Sequence, residues 1–131
     1  LGVADVKRPG KDITLITYSR MVLRALEAAE KVAEDGIDVE VIDLRSLKPL
    51  DVDTVIESVK KTGRVIGVTE AYKTGSFISE LFTIINEMAF DYLDAPMLRV
   101  AAADVPMAET LEDAAIPSVE VIESAIRQLA D

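Results

Sequence analysis

Few residues in this chain can do chemistry unaided. Its 131 residues include no histidine and no cysteine, which removes imidazole bases, histidine-dependent triads, thiolate nucleophiles, disulfides and nearly all zinc sites. Carboxylates, hydroxyls and basic side chains remain, and a handful fall where a ligand would be met. Ser19 has a nucleophile's hydroxyl but no base to activate it, and it reads as the N-cap of the helix that follows. Glu70 ends an apolar stretch, where a carboxylate can have a raised pKa and act as general acid or base; a structural or subunit-contact role is the preferred reading. Asp43 and Arg45 can hold an anion or pair with each other, and the ion pair is favoured. Thr74-Gly75-Ser76 opens a helix whose N–H groups suit an anion, yet neither G-x-G-x-x-G nor the P-loop pattern is present, so Gly75 reads as a turn residue. Asp51-Val52-Asp53 lacks the remaining ligands of a calcium loop. Glu109, Glu112 and Asp113 form an acidic cluster that is either a solvated face or a docking patch. From the residues alone, this is a domain without a catalytic machine of its own.

The overall charge narrows the partners. Twenty-four acidic against 14 basic residues leave a formal net charge of −10. Nucleic acid and anionic membrane both demand a positive face, so neither is expected as a partner. A basic protein would suit this surface, and a solvated acidic surface with no partner is the equal alternative. With 50% apolar residues the chain can build a core, while no apolar run approaches the roughly 20 residues of a membrane span. The start, Leu1-Gly2-Val3-Ala4-Asp5, shows neither initiator methionine nor signal-peptide pattern, so the expectation is a processed start or a piece of a longer protein.

The candidate residues must be positioned by strands alternating with helices. Val3 to Lys7 reads as a short edge strand, with the turn Arg8-Pro9-Gly10-Lys11-Asp12 making it antiparallel, as a hairpin, to a buried strand over Ile13–Tyr18. Val22, Leu26, Ala29 and Ala33, flanked by Ala25 and Val32, mark the inner face of a first helix, with Gly36 as its C-cap. Asp38–Leu44 alternates like a strand; Asp51 then N-caps a helix carrying Val52, Val55, Ile56 and Val59, and Gly63 stops it. Arg64–Thr69 predicts a third buried strand. A helix over about Gly75–Tyr92 buries Ile78, Leu81, Phe82, Ile85 and either Met88 or Ala89. One more strand runs over Met97–Ala101, and Ser118 caps a last helix with Ile122, Ala125, Ile126 and Leu129 inward. The expected fold class is α/β: a three-layer α/β/α sandwich around a mostly parallel five-stranded sheet with one antiparallel edge strand.

Several long strings then resemble one family. Lys11 to Val22, Glu40-Val41-Ile42-Asp43-Leu44-Arg45-Ser46-Leu47-Lys48-Pro49-Leu50-Asp51, Ser58 to Val65, Phe90 to Pro96, Asp104-x-Pro106 and Leu111 to Ser118 are similar to the C-terminal transketolase-like domain in the beta subunits of pyruvate dehydrogenase and related 2-oxo acid dehydrogenases. The resemblance runs from about Gly2 to the end and implies one domain over 1–131, with residues 1–10 as linker and edge strand. It also implies a larger N-terminal domain before this one. The whole enzyme would use thiamine diphosphate and Mg²⁺ to decarboxylate a 2-oxo acid and pass the acyl group to lipoamide, with neither cofactor held by this domain. The implied partners are an alpha subunit, a second beta subunit in a heterotetramer of two alpha and two beta chains, and in some complexes the basic subunit-binding domain of the acyltransferase core. An acidic patch complements such a basic partner, so Glu109, Glu112, Asp113 and Asp131 become docking candidates, and Glu70 a subunit-contact candidate. The isolated domain is expected to be inactive, and the location implied for a bacterial or archaeal source is cytoplasmic. The same fold occurs in transketolase, deoxyxylulose-phosphate synthase and pyruvate:ferredoxin oxidoreductase, and a free-standing binding module is the reading outside enzymes. The Glu40 to Asp51 string favours the dehydrogenase subunit. Thr69 before Glu70, Gly75-Ser76, and Met107-Ala108-Glu109-Thr110 after the Asp-x-Pro depart from the family pattern.

Overall fold

A strand such as Ile13-Thr14-Leu15-Ile16-Thr17, apolar on both sides and β-branched at four of five positions, is stable only with helices over both faces and strands at both edges. The computed structural model describes residues 3–18, 21–45, 51–69, 75–101 and 117–131, with side chains from residue 78 onward in the fourth stretch. Its strands are β1 (Asp5–Arg8), β2 (Ile13–Thr17), β3 (Val39–Asp43), β4 (Val65–Val68) and β5 (Leu98–Val100). They form one sheet in the order β1-β3-β2-β4-β5. β2 is parallel to both β3 and β4, and β4 to β5, while β1 runs antiparallel to β3. Every β2 residue is buried, with Leu15 opposite Val41 on one side and Ile66 on the other.

The edge strand sits one place away from where a hairpin would put it. Both edges of β2 are occupied by parallel neighbours, so β1 pairs with β3 instead. The crossing is at Gly10: a Cβ there would lie 2.4 Å from the Val39 carbonyl carbon and 2.5 Å from the Glu40 nitrogen. Only glycine lets the two backbones approach so closely.

The helices are α1 (Met21–Ala33), α2 (Val52–Thr62), α3 (Gly75–Ala89) and α4 (Val119–Ala130). α1 and α4 cover one face, packing on Ile13, Leu15, Val39, Val41, Ile66 and Val68. α2 and α3 cover the other, on Ile16, Ile42, Leu44 and Val65. This is the three-layer α/β/α sandwich. The α1 stripe is wider than its periodicity suggests: Met21, Val22, Ala25, Ala28, Ala29 and Val32 are buried, with Leu26 and Ala33 at its border. α1 packs on the sheet and, along its side, on α4, and its alanines let α4 come close. α3 stops at Ala89, which is buried while Met88 is exposed, and a 3₁₀ turn over Phe90–Tyr92 replaces the expected final helical turn.

The caps act as their residue types dictate. Gly36 and Gly63 end α1 and α2 with φ of 85° and 73°. Ser118 Oγ accepts the Val121 N–H at 3.2 Å. Asp51 Oδ1 accepts the Thr54 N–H at 3.1 Å, while its Oδ2 accepts the Ala4 N–H at 2.9 Å and the Thr54 hydroxyl at 2.6 Å. The carboxylate that starts α2 thus also anchors the segment before β1. Asp51→Ala is expected to lower the unfolding free energy by roughly 1–2 kcal/mol, and Asp51→Asn, which keeps a capping oxygen, by less. Urea denaturation checks this; an unchanged midpoint in Asp51→Ala would remove the cap from the account.

Candidate functional site

The strand order reverses beside β2: the chain passes from β2 to β3 on one side, then crosses to β4 and β5 on the other. In open sheets of this kind the ligand crevice lies beyond the carboxyl ends at that reversal. The described rim is drawn together there by hydrogen bonds. Thr17 Oγ1 donates to the Val68 carbonyl at 3.1 Å, the Leu44 N–H to the Thr17 carbonyl at 3.0 Å, and the Thr69 N–H to the Val100 carbonyl at 3.0 Å. Ser19, Glu70, Thr74, Glu109, Glu112 and Asp113 lie outside the described residues.

Asp43 and Arg45 are brought together differently from the expected rim ion pair. The Arg45 N–H donates to Asp43 Oδ1 at 3.0 Å, with Arg45 in the left-handed region at φ 60°. Among the described residues no guanidinium–carboxylate contact joins them. The turn demands the backbone contact, and Arg45 instead projects its field onto Asp5. There the hydrogen bond from Lys7, at 2.7 Å, is the main cause holding the Asp5 carboxyl below its ordinary value, with Lys7 and Arg45 charges adding to it.

Asp131 is exposed at the opposite end of the sheet. α4 separates it from Ser118 by about 18 Å, the rise of its 12 residues. Arg64 lies alongside, donating from Nη1 to the Leu129 and Ala130 carbonyls at 2.9 and 3.0 Å, a cation on the negative end of a helix. Arg64, Asp94, Gln128 and Asp131 line an open cleft of about 300 Å³. Asp131 therefore stands on a surface of mixed charge.

A buried polar cluster escaped the sequence reading. Glu40 is 3% exposed, facing α2 from β3. Its Oε1 accepts the Gly10 N–H at 3.0 Å and the Lys61 ammonium at 2.5 Å. Beside it the Thr14 hydroxyl is hydrogen-bonded to those of Ser58 and Thr62, each at 2.7 Å. Burial pushes the Glu40 carboxyl up, but hydrogen bonds from Lys61, Ser58 and Gly10 outweigh it and hold the group below its ordinary value. A carboxylate so saturated with donors keeps its charge at neutral pH and acts as a brace rather than a proton acceptor. The available signal was an acid within Val39-Glu40-Val41-Ile42, because a buried strand can hold a charge only with a partner. Since its folded pKa lies below the unfolded one, Glu40 stabilises fully above the unfolded carboxylate range near about pH 4.3, and that contribution is lost as pH falls through the lower folded value. Glu40→Gln should lose this part of the acid sensitivity. Unfolding midpoints of both proteins between about pH 7 and pH 3 measure it, and parallel pH curves would sink it.

Sheet order, helix layers and reversal point define a class: an α/β domain of transketolase type, whose described residues brace and pack. The family described as "Transketolase, C-terminal domain" matches residues 2–122, and the chain belongs to that family. It is 46% identical over 129 residues to the pyruvate dehydrogenase E1 component subunit beta of Rhizobium meliloti (strain 1021), covering 97% of this chain and 28% of that protein. It is likewise 46% identical over 134 residues to the 2-oxoisovalerate dehydrogenase subunit beta of Bacillus subtilis (strain 168), covering 100% of this chain and 41% of that one. A solved structure titled as a split gene transketolase, an inactive beta4 tetramer, superposes with a TM-score of 0.78 at 29% identity, covering 98% of this chain and 41% of that chain. The chain spans well under half the length of these relatives.

Proposed function

We propose that this chain is the C-terminal assembly domain of a 2-oxo acid dehydrogenase beta subunit, with residues 1–131 as one domain and 1–10 as linker and edge strand. The observation that carries this reading is the near end-to-end match to beta subunits at 46% identity, against 29% to the split transketolase. In this reading the whole enzyme decarboxylates a 2-oxo acid, pyruvate being one such substrate, with thiamine diphosphate and Mg²⁺, and transfers the acyl group to lipoamide. Those cofactors belong to neighbouring parts of the assembly. This domain supplies packing surface toward an alpha subunit and a second beta subunit. Among the described residues, no three acidic side chains are grouped as a metal site would need, and no helix is long and apolar enough to cross a membrane.

Native polypeptide size tests the reading, using an antibody raised against this domain. A chain more than twice as long, co-migrating with a second subunit and showing decarboxylation that requires thiamine diphosphate, is expected; the isolated domain is expected to be inactive. A native product no longer than this one would overturn the assignment and favour a free-standing binding module.

Docking to a basic acyltransferase domain belongs to the same proposal, with Glu109, Glu112, Asp113 and Asp131 as the acidic side and Glu70 as a subunit contact. Reversing the four docking acids to lysine should weaken binding by roughly tenfold or more and flatten its salt dependence. Calorimetric titration at low and high salt reads both, and unchanged affinity at low salt would exclude these residues from the contact.

A further inference from the structure

The segment before β2 is fastened in an unusual way. Among its described residues Ala4 is the one buried apolar side chain, while Val3 and Val6 are exposed, so apolar burial there contributes little. The β1–β3 ladder is short and irregular between Val6 and Arg8. The Asp12 N–H donates to the Asp38 carbonyl at 2.8 Å, and carboxylates supply much of the rest. The Ala4 N–H is held by Asp51 Oδ2 at 2.9 Å, the Gly10 N–H by Glu40 Oε1 at 3.0 Å, and the Lys11 N–H by Asp38 Oδ2 at 3.0 Å. Arg8 adds bonds to Glu30, Asp38 and the Val39 carbonyl. Of the three acids holding backbone N–H groups, only Glu40 is buried. Its charge is tolerated there because Lys61 neutralises it, and the Lys61 side chain is 48% exposed, so solvent can reach it.

We infer that the Lys61–Glu40 pair is a latch, and that residues 4–12 form a strap that opens as a unit separate from the rest of the sheet. Without the Lys61 charge, Glu40 must protonate or leave its pocket, because a buried carboxylate without a cation is costly. Either change weakens the acceptor for Gly10, where the strap backbone lies too close to β3 to leave room for a side chain. If this chain is the C-terminal domain of a longer subunit, as proposed above, the strap carries the connection to the preceding domain and the latch sets its direction. That consequence rests on the proposed function; the latch does not.

Amide hydrogen exchange on this protein tests the latch whether or not a preceding domain exists. In the wild type the Ala4, Gly10 and Lys11 amides should share one opening that occurs more often than that of Leu15 and Ile66 in β2 and β4. In Lys61→Met, exchange at Ala4, Gly10 and Lys11 should rise together by roughly tenfold or more while Leu15 and Ile66 change little, and Lys61→Arg should retain protection. Strap amides that speed up only in step with Leu15 and Ile66, or not at all, would overturn it. Should Lys61→Met fail to fold, the wild-type measurement decides: strap amides exchanging only through the same opening as Leu15 refute the latch.

Discussion

Enclosure of β2 is the constraint on which the rest of this structure depends. With parallel strands at both edges and a helix pair over each face, β2 has no solvent surface. Every backbone N–H and carbonyl must be paired within the sheet, and every side chain must be apolar or carry its own partner. Ile13, Leu15 and Ile16 meet the second condition by composition. Thr14 meets it through Ser58 and Thr62, and Thr17 through the Val68 carbonyl. β1 is pushed to the outside of β3 because β2 has no edge to offer.

Burial of polar groups follows from the same enclosure. α2 lies on the Thr14 and Glu40 side of the sheet, so its inner face carries Ser58 and Thr62 among Val55, Ile56 and Val59. Among the described residues no buried side-chain polar atom is left without a hydrogen bond. Among the described residues Glu40 is the one charged side chain drawn inside, and it helps hold the segment leading from β1 into β2. Stability and part of the entering chain's attachment thus meet at Glu40.

The family placement rests on a match along residues 2–122 rather than on a catalytic motif. Function lives in sites grafted on folds. Here the described residues form caps, a buried brace and a cleft of mixed charge. The cleft beside Asp131 combines acids with Arg64, itself committed to the α4 carbonyls. Charge complementarity on such a surface governs orientation and encounter more than raw affinity.

Local chemistry was legible from the residues in order. β-branched runs made strands, Asp51 and Ser118 capped helices through their own side chains, and Gly36 and Gly63 took the left-handed positions that end them. Each is settled within a few residues, so the chain order carries it, and alternation of strand and helix settled the layered class. Most departures involve distance along the chain. Glu40 meets Lys61 across 21 positions and Thr14 meets Ser58 across 44; β1 chose β3 over its neighbour in sequence; and α1 widened its buried stripe because α4 pressed on it. Asp43 and Arg45, close in sequence, met through the backbone because the turn after β3 fixed their geometry. Sequence by itself determined the elements and the caps Asp51, Ser118, Gly36 and Gly63, since those energies are local. Which edges, charges and faces were free to pair was decided only when enclosing β2 left some groups a partner and gave others none.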